Sequence, residues 1–184
     1  MDVDAIAEIT SYREYVQFAG RLREIGFIED SSEGAPLCRW TKGEVVLDVM
    51  PLDKGILGFS NRWYREAMRT AEMMMIEPSL RIQRIAAPFF LATKLEAFKG
   101  RGARDYFASH DLEDLLSVVD GRPELMDEVR AASGDLRAYF ALEFGALLRD
   151  SRFVDALAGH LLPDPASQSR MPMLLDKLQE LTTP

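Results

Sequence analysis

Asp2 and Asp4 stand two residues apart in Met1-Asp2-Val3-Asp4-Ala5-Ile6. In a strand, that spacing puts both carboxylates on one face. Two such charges repel unless a proton or cation lies between them, so the pair suits a hard divalent metal. The plainer alternative is two solvated acids. Asp48 adds weight. It lies within Val45-Val46-Leu47-Asp48-Val49-Met50, a run apolar enough for a buried central strand, where a lone carboxylate is costly. A metal shared with Asp2 and Asp4 would offset that cost; otherwise Asp48 faces solvent from a half-exposed strand. Lys94 sits among Phe89, Phe90, Leu91 and Leu95, so it either snorkels to water or reaches a charged group. On a helix it shares a face with Arg101, with Phe98 between them. Downstream, Ser109-His110-Asp111-Leu112-Glu113-Asp114 reads as an N-cap followed by acids in a first helical turn. That reading explains Asp111 better than Asp114.

The elements that must position these residues are legible in outline. Residues 3–9 alternate as a strand. Ser11 and Glu14 form a capping-box pattern, opening a helix that runs to about Ile25, buries Tyr15, Phe18, Leu22 and Ile25, and stops at Gly26. Residues 37–41 and 44–50 flank Lys42-Gly43 as a hairpin, closed by Pro51. Ser60 is placed to cap a helix over 61–73, residues 81–85 form a short strand, and Pro88 suits the first turn of a helix reaching Lys99. From Ser109 the pattern is helical, with breaks at Gly121, Ser133-Gly134, Ser151 and Pro163–Pro165. The fold class expected is α+β, a small mixed sheet in the N-terminal half followed by a helical C-terminal half. An α/β part over 1–108 and a helical part over 109–184 are expected to pack as one unit, since no Gly/Ser/Pro-rich linker separates them.

Charge narrows the partners. The net charge of −8 opposes strong non-specific binding of a polyanion. Residues 62–104 nevertheless carry nine Lys or Arg against four Glu, a basic segment that either faces phosphates or is a solvated helical face. The lone Cys38 excludes a disulfide framework within the chain and fits a reducing cytoplasm. No apolar run reaches the roughly 20 residues of a membrane span, and the acidic start is unlike a signal peptide. A cytoplasmic, non-membrane protein is expected.

In order along the chain, Asp2-Val3-Asp4, Leu47-Asp48-Val49-Met50-Pro51, Ala92-Thr93-Lys94-Leu95-Glu96-Ala97-Phe98 and His110-Asp111-Leu112-Glu113-Asp114 resemble the nucleotidyltransferase superfamily of the polymerase-beta type. They are most similar to the branch of abortive-infection toxins (AbiEii/AbiGii type) and its bacterial relatives. The resemblance spans roughly residues 1–125. It implies that Asp2, Asp4 and Asp48 hold Mg²⁺ or Mn²⁺ and that Lys94, with Arg101 on its face, contacts a nucleoside triphosphate. Asp111 or Asp114 would match the branch's downstream aspartate. The implied reaction transfers a nucleotidyl group to an acceptor, with RNA among the candidates, and the branch implies an antitoxin partner.

The alternative is a binding or interaction module without catalysis. The family places a Gly-Ser turn before its Asp-x-Asp strand to hold phosphates, and this chain lacks it. Gly55, Gly58 and Gly100-Arg101-Gly102 do not replace it. Because the family's Asp-x-Asp strand lies inside its sheet, either upstream residues or self-association as a homodimer is expected to cover it. Removing Asp48 is expected to abolish cation binding, leave the fold intact and relieve repulsion. A His-Asp phosphohydrolase would need more histidines than His110 and His160, and a catalytic Cys38 has no local histidine.

Overall fold

A computed structural model describes residues 2–101 and 105–183, without the Arg101 side chain. It shows small sheets in the N-terminal half and helices in the C-terminal half. The chain divides into two units, Met1–Met68 and Arg69–Pro184, and each is described by itself.

The first unit runs β1 (Asp2–Ala7), α1 (Tyr12–Glu24), β2 (Ile28–Glu29), β3 (Arg39–Lys42), β4 (Val45–Pro51), α2 (Lys54–Leu57) and α3 (Tyr64–Arg69), the last crossing the boundary by one residue. The sheet order is β1-β4-β3-β2, with β1 parallel to β4 and the other pairs antiparallel. The strand expected inside the sheet is therefore outermost: β1 pairs with β4 alone among the described strands.

Ser11 caps α1 by accepting from the Glu14 N–H at 3.3 Å. Glu14 reaches back to Thr10, whose N–H and hydroxyl donate to it at 2.8 and 3.1 Å. The box thus closes one residue earlier than its usual pattern. Gly26, at φ 91°, takes the left-handed position that ends helices, and Lys42 Nζ donates to the Ile25 carbonyl at 2.7 Å. Ala19 and Leu22 bury themselves with Trp40 and Val49, flanked by Phe18 and Leu47. Ile25, expected inside, is exposed. It is the C-cap, outside the helical turn that would carry it onto the buried stripe.

The turn between β3 and β4 is Gly43-Glu44, one residue later than expected, with Gly43 at φ 58°. That conformation favours glycine. The helix expected over 61–73 is corrected: α3 ends at Arg69, and residues 72–77 form a strand. Pro78-Ser79 turns that strand back onto the next, so ladder pairing overrides the helix propensity of the methionines.

The second unit begins with β5 (Glu72–Glu77) and β6 (Leu80–Arg84), a two-stranded antiparallel ribbon exposed along its length. Then come α4 (Ala87–Arg101), α5 (His110–Gly121), α6 (Leu125–Ala131), α7 (Gly134–Leu148), α8 (Ser151–Ala156), a 3-10 turn (Leu157–His160), α9 (Pro165–Gln168) and α10 (Met171–Glu180). Pro88 occupies the first turn of α4, where its missing N–H costs nothing. α4 packs on α5, α6 and α7 and buries Leu91, Leu95 and Phe98. These contacts group residues 87–101 with the C-terminal helices, so the unit boundary precedes residue 108. Lys177 on α10 ties down the end of α5 by donating to the Val119 and Asp120 carbonyls at 2.8 and 2.9 Å.

Asp150 caps α8 and yields a pH prediction. Its carboxylate accepts from the Arg152 backbone and guanidinium and from the Tyr106 hydroxyl at 3.0 Å. The Arg152 guanidinium, foremost, holds it well below the usual carboxylate range, and Tyr106 adds to the effect. A depressed folded pKa stabilises above the unfolded value of 3.8 and loses that contribution as pH falls through the folded one. The melting-temperature difference between wild type and Asp150→Asn is expected to hold down to about pH 4 and shrink below it. Thermal unfolding followed by circular dichroism checks this; a constant difference down to about pH 2 would refute it.

Candidate functional site

The register of β4 with its two neighbours builds the carboxylate site. Asp4 is the partner of Asp48 across the parallel β1–β4 pair, and Arg39 is the partner of Asp48 across β3–β4. Residues paired in register project to the same face, so Arg39, Asp48 and Asp4 form a row across three strands. Asp2, two residues before Asp4, lies on the same face. The opposite face carries Trp40, Leu47 and Val49, which meet α1. This alternation is what leaves the polar row away from the helix.

Asp48 is buried, as its apolar strand requires, and Arg39 is its partner. The guanidinium forks onto it, Nε donating to Oδ1 at 2.9 Å and Nη2 to Oδ2 at 2.8 Å. The hydrogen bonds to Asp48 raise the Arg39 pKa above its ordinary value, burial opposes them, and the charges of Asp48 and Asp2 reinforce them. Asp2 and Asp4 are exposed. Among the described residues, no group of three or more His, Cys, Asp or Glu side chains is placed to hold a metal ion. The three aspartates share a face without converging into one cluster, and an arginine supplies the charge expected of the metal at Asp48.

In the second unit, α4 and α5 bring together the lysine and both downstream aspartates. Lys94 Nζ donates to Asp114 at 2.6 Å and lies 3.9 Å from Asp111. It also sits 5.5 Å from the centre of the Phe90 ring. Asp111 and Asp114, three apart on α5, present one face to it. Ser109 caps α5 through the Leu112 N–H as expected, yet Asp111 is buried and does more than sit in a first turn. Lys94 therefore reaches carboxylates rather than only snorkelling. Arg101 ends α4, and its side chain lies outside the described residues, as does Gly102.

No family model matches the chain, and no curated protein or solved structure matches it.

The functional reading accordingly stands on the residues. The one missed in sequence is Arg39, and the hairpin could have found it. A turn at Gly43-Glu44 pairs Asp48 with Arg39, whereas the expected turn at Lys42-Gly43 pairs it with Leu37. The two histidines are engaged elsewhere: His110 lies 3.2 Å from Glu113 on an exposed turn, and His160 lies 2.7 Å from the Tyr106 carbonyl. Cys38 is buried.

Proposed function

We propose that this chain is a nucleotidyltransferase-type protein, transferring a nucleotidyl group from a nucleoside triphosphate in a Mg²⁺- or Mn²⁺-dependent reaction. The observation that carries the reading is the Asp4–Asp48 register, which with Asp2 lines three carboxylates along one sheet face. A carboxylate has about four lone-pair sites, so the Arg39 fork at Asp48 leaves capacity for a cation. Asp2, Asp4 and Asp48 would hold the ion, and Arg39 fixes the plane of the Asp48 carboxylate. A bound divalent ion neutralises phosphate charge and polarises an attacking hydroxyl, the main needs of such a transfer. RNA is a candidate acceptor.

A second reading, a binding module without catalysis, is favoured by the same fork, because both Asp48 oxygens already accept from Arg39. Calorimetric titration with Mn²⁺ and Mg²⁺ tests the first reading. Saturable binding is expected, lost in Asp4→Asn, which removes a carboxylate without disturbing the Arg39 pair. Pyrophosphate release on incubation with nucleoside triphosphates and RNA separates the two. Cation binding without release supports the second reading, and absence of cation binding sinks the first.

A further inference from the structure

Of the outer strands described, all but one are guarded against pairing. An outer strand offers unpaired N–H and C=O groups to any other strand, and charge or shortness blunts that offer. β1 carries Asp2 and Asp4, β2 is two residues long, and β6 carries Arg81 and Arg84. β5 pairs with β6 alone among the described strands, and it holds the uncharged run Met73-Met74-Met75-Ile76 between Glu72 and Glu77. The three methionines are 63, 40 and 59% exposed. A two-stranded ribbon is marginal in water, and a third strand along β5 stabilises it.

Charge says what that third strand is. The ladder is irregular near the end of β5: Met75 pairs with Arg81 and Glu77 with Leu80, which leaves Ile76 over. Alternate residues of β6 share a face. Glu77, opposite Leu80, therefore joins Glu72, opposite Arg84, and Met74, opposite Ile82. Without the extra residue Glu77 would face the other way, with Met73 and Met75. The two acids thus flank Met74 on one face, each two ladder positions from it. By strand spacing, a neighbour on the open side of β5 lies about 5 Å from these acids and about 10 Å from the arginines of β6, past the screening length of about 8 Å at physiological salt. The open edge is acidic at its ends and apolar between them. A second copy of the chain answers this badly. With Met74 against Met74 on a two-fold axis, each Glu72 meets the other copy's Glu77, and like charges directly opposite repel. Basic residues at those two positions are complementary.

We propose that the open edge of β5 takes an extended segment of a partner protein as a third strand, one in which three apolar residues lie between two basic ones. The added backbone hydrogen bonds supply affinity, and the basic–acidic rows supply selection. Neither depends on nucleotidyl transfer. Fluorescence anisotropy of a labelled peptide, Ser-Arg-Val-Leu-Val-Arg-Ser, titrated with the full chain tests this. Saturation at one peptide per chain is expected, with a dissociation constant on the order of 10–100 µM for so short a strand. Glutamates in place of the peptide's arginines, or N-methyl groups on its core amides, should each weaken binding by about tenfold or more. Both changes leave the protein untouched, so neither depends on the folding of a variant. Glu72→Gln with Glu77→Gln should weaken binding by about threefold, as exposed charge pairs do. Met74→Lys, which sets a charge at the middle of the edge, should abolish it. Binding that survives N-methylation or Met74→Lys, that favours the glutamate peptide, or that is absent up to about 1 mM overturns the proposal. So does a chain that sediments as a dimer broken by Met74→Lys, which would place a second copy on the edge.

Discussion

Replacing Asp48 by alanine is expected to destabilise the chain by about 2–3 kcal/mol. The substitution strands Arg39, whose fork onto Asp48 at 2.8 and 2.9 Å satisfies it on a face it shares with apolar strand residues. Stranding one member of a fully buried pair costs about 3–5 kcal/mol. Here the side chains are 29% and 12% exposed, so water recovers part of that. This reverses the expectation drawn from repulsion among three aspartates, in which losing Asp48 is neutral or stabilising. Arg39→Met combined with Asp48→Leu should recover most of the loss, because apolar replacement of both partners removes the desolvation cost along with the attraction. Urea unfolding of Arg39→Met, Asp48→Leu and the double variant measures the coupling. An Asp48→Ala cost below about 0.5 kcal/mol would mean that the pair is not formed in solution.

Lys94→Met is expected to be nearly as damaging, by about 2–3 kcal/mol, through Asp111. That carboxylate is 6% exposed, and the substitution removes the cation 3.9 Å from it, which weakens the compensation of a charge buried on α5. Asp114 is 49% exposed, so Asp114→Asn should cost less than about 1 kcal/mol despite the shorter 2.6 Å contact, because water takes the lysine's place. The inequality between the two aspartates is the decisive readout in thermal or urea unfolding. If Lys94→Met instead leaves stability unchanged and abolishes triphosphate binding, the lysine serves phosphate recognition and the ion pairs are incidental.

Local signals carry most of the outline. Ser11 and Ser109 cap helices where their spacing predicts, because a cap depends on three or four consecutive residues. Non-local pairing is harder to read. Placing the hairpin turn one residue early shifts every cross-strand partner by two, which keeps the faces correct and the partners wrong. Asp48 accordingly reads as buried and in need of a countercharge, while Arg39 stays hidden. Met73-Met74-Met75 has no period to separate helix from strand, and only its pairing with β6 decides. Lys94, Asp111 and Asp114 each stand out in the sequence, but their meeting depends on how α4 lies against α5, which neither helix encodes alone.

The outermost position of β1 has a consequence for any attempt to probe its aspartates. Among the described strands, its outer side has no neighbour, so its backbone groups there could template a strand from another copy. Charged side chains are a common guard against such edge-to-edge growth. Two copies aligned there would bring their Asp2 and Asp4 carboxylates close together across the new ladder, and like charges so placed repel. Replacing both, as Asp2→Asn with Asp4→Asn, lifts that guard and leaves an uncharged edge on which Val3, Ala5 and Ile6 dominate, a composition prone to strand stacking. By this argument the two acids guard the β1 edge against strand stacking whether or not they hold a cation.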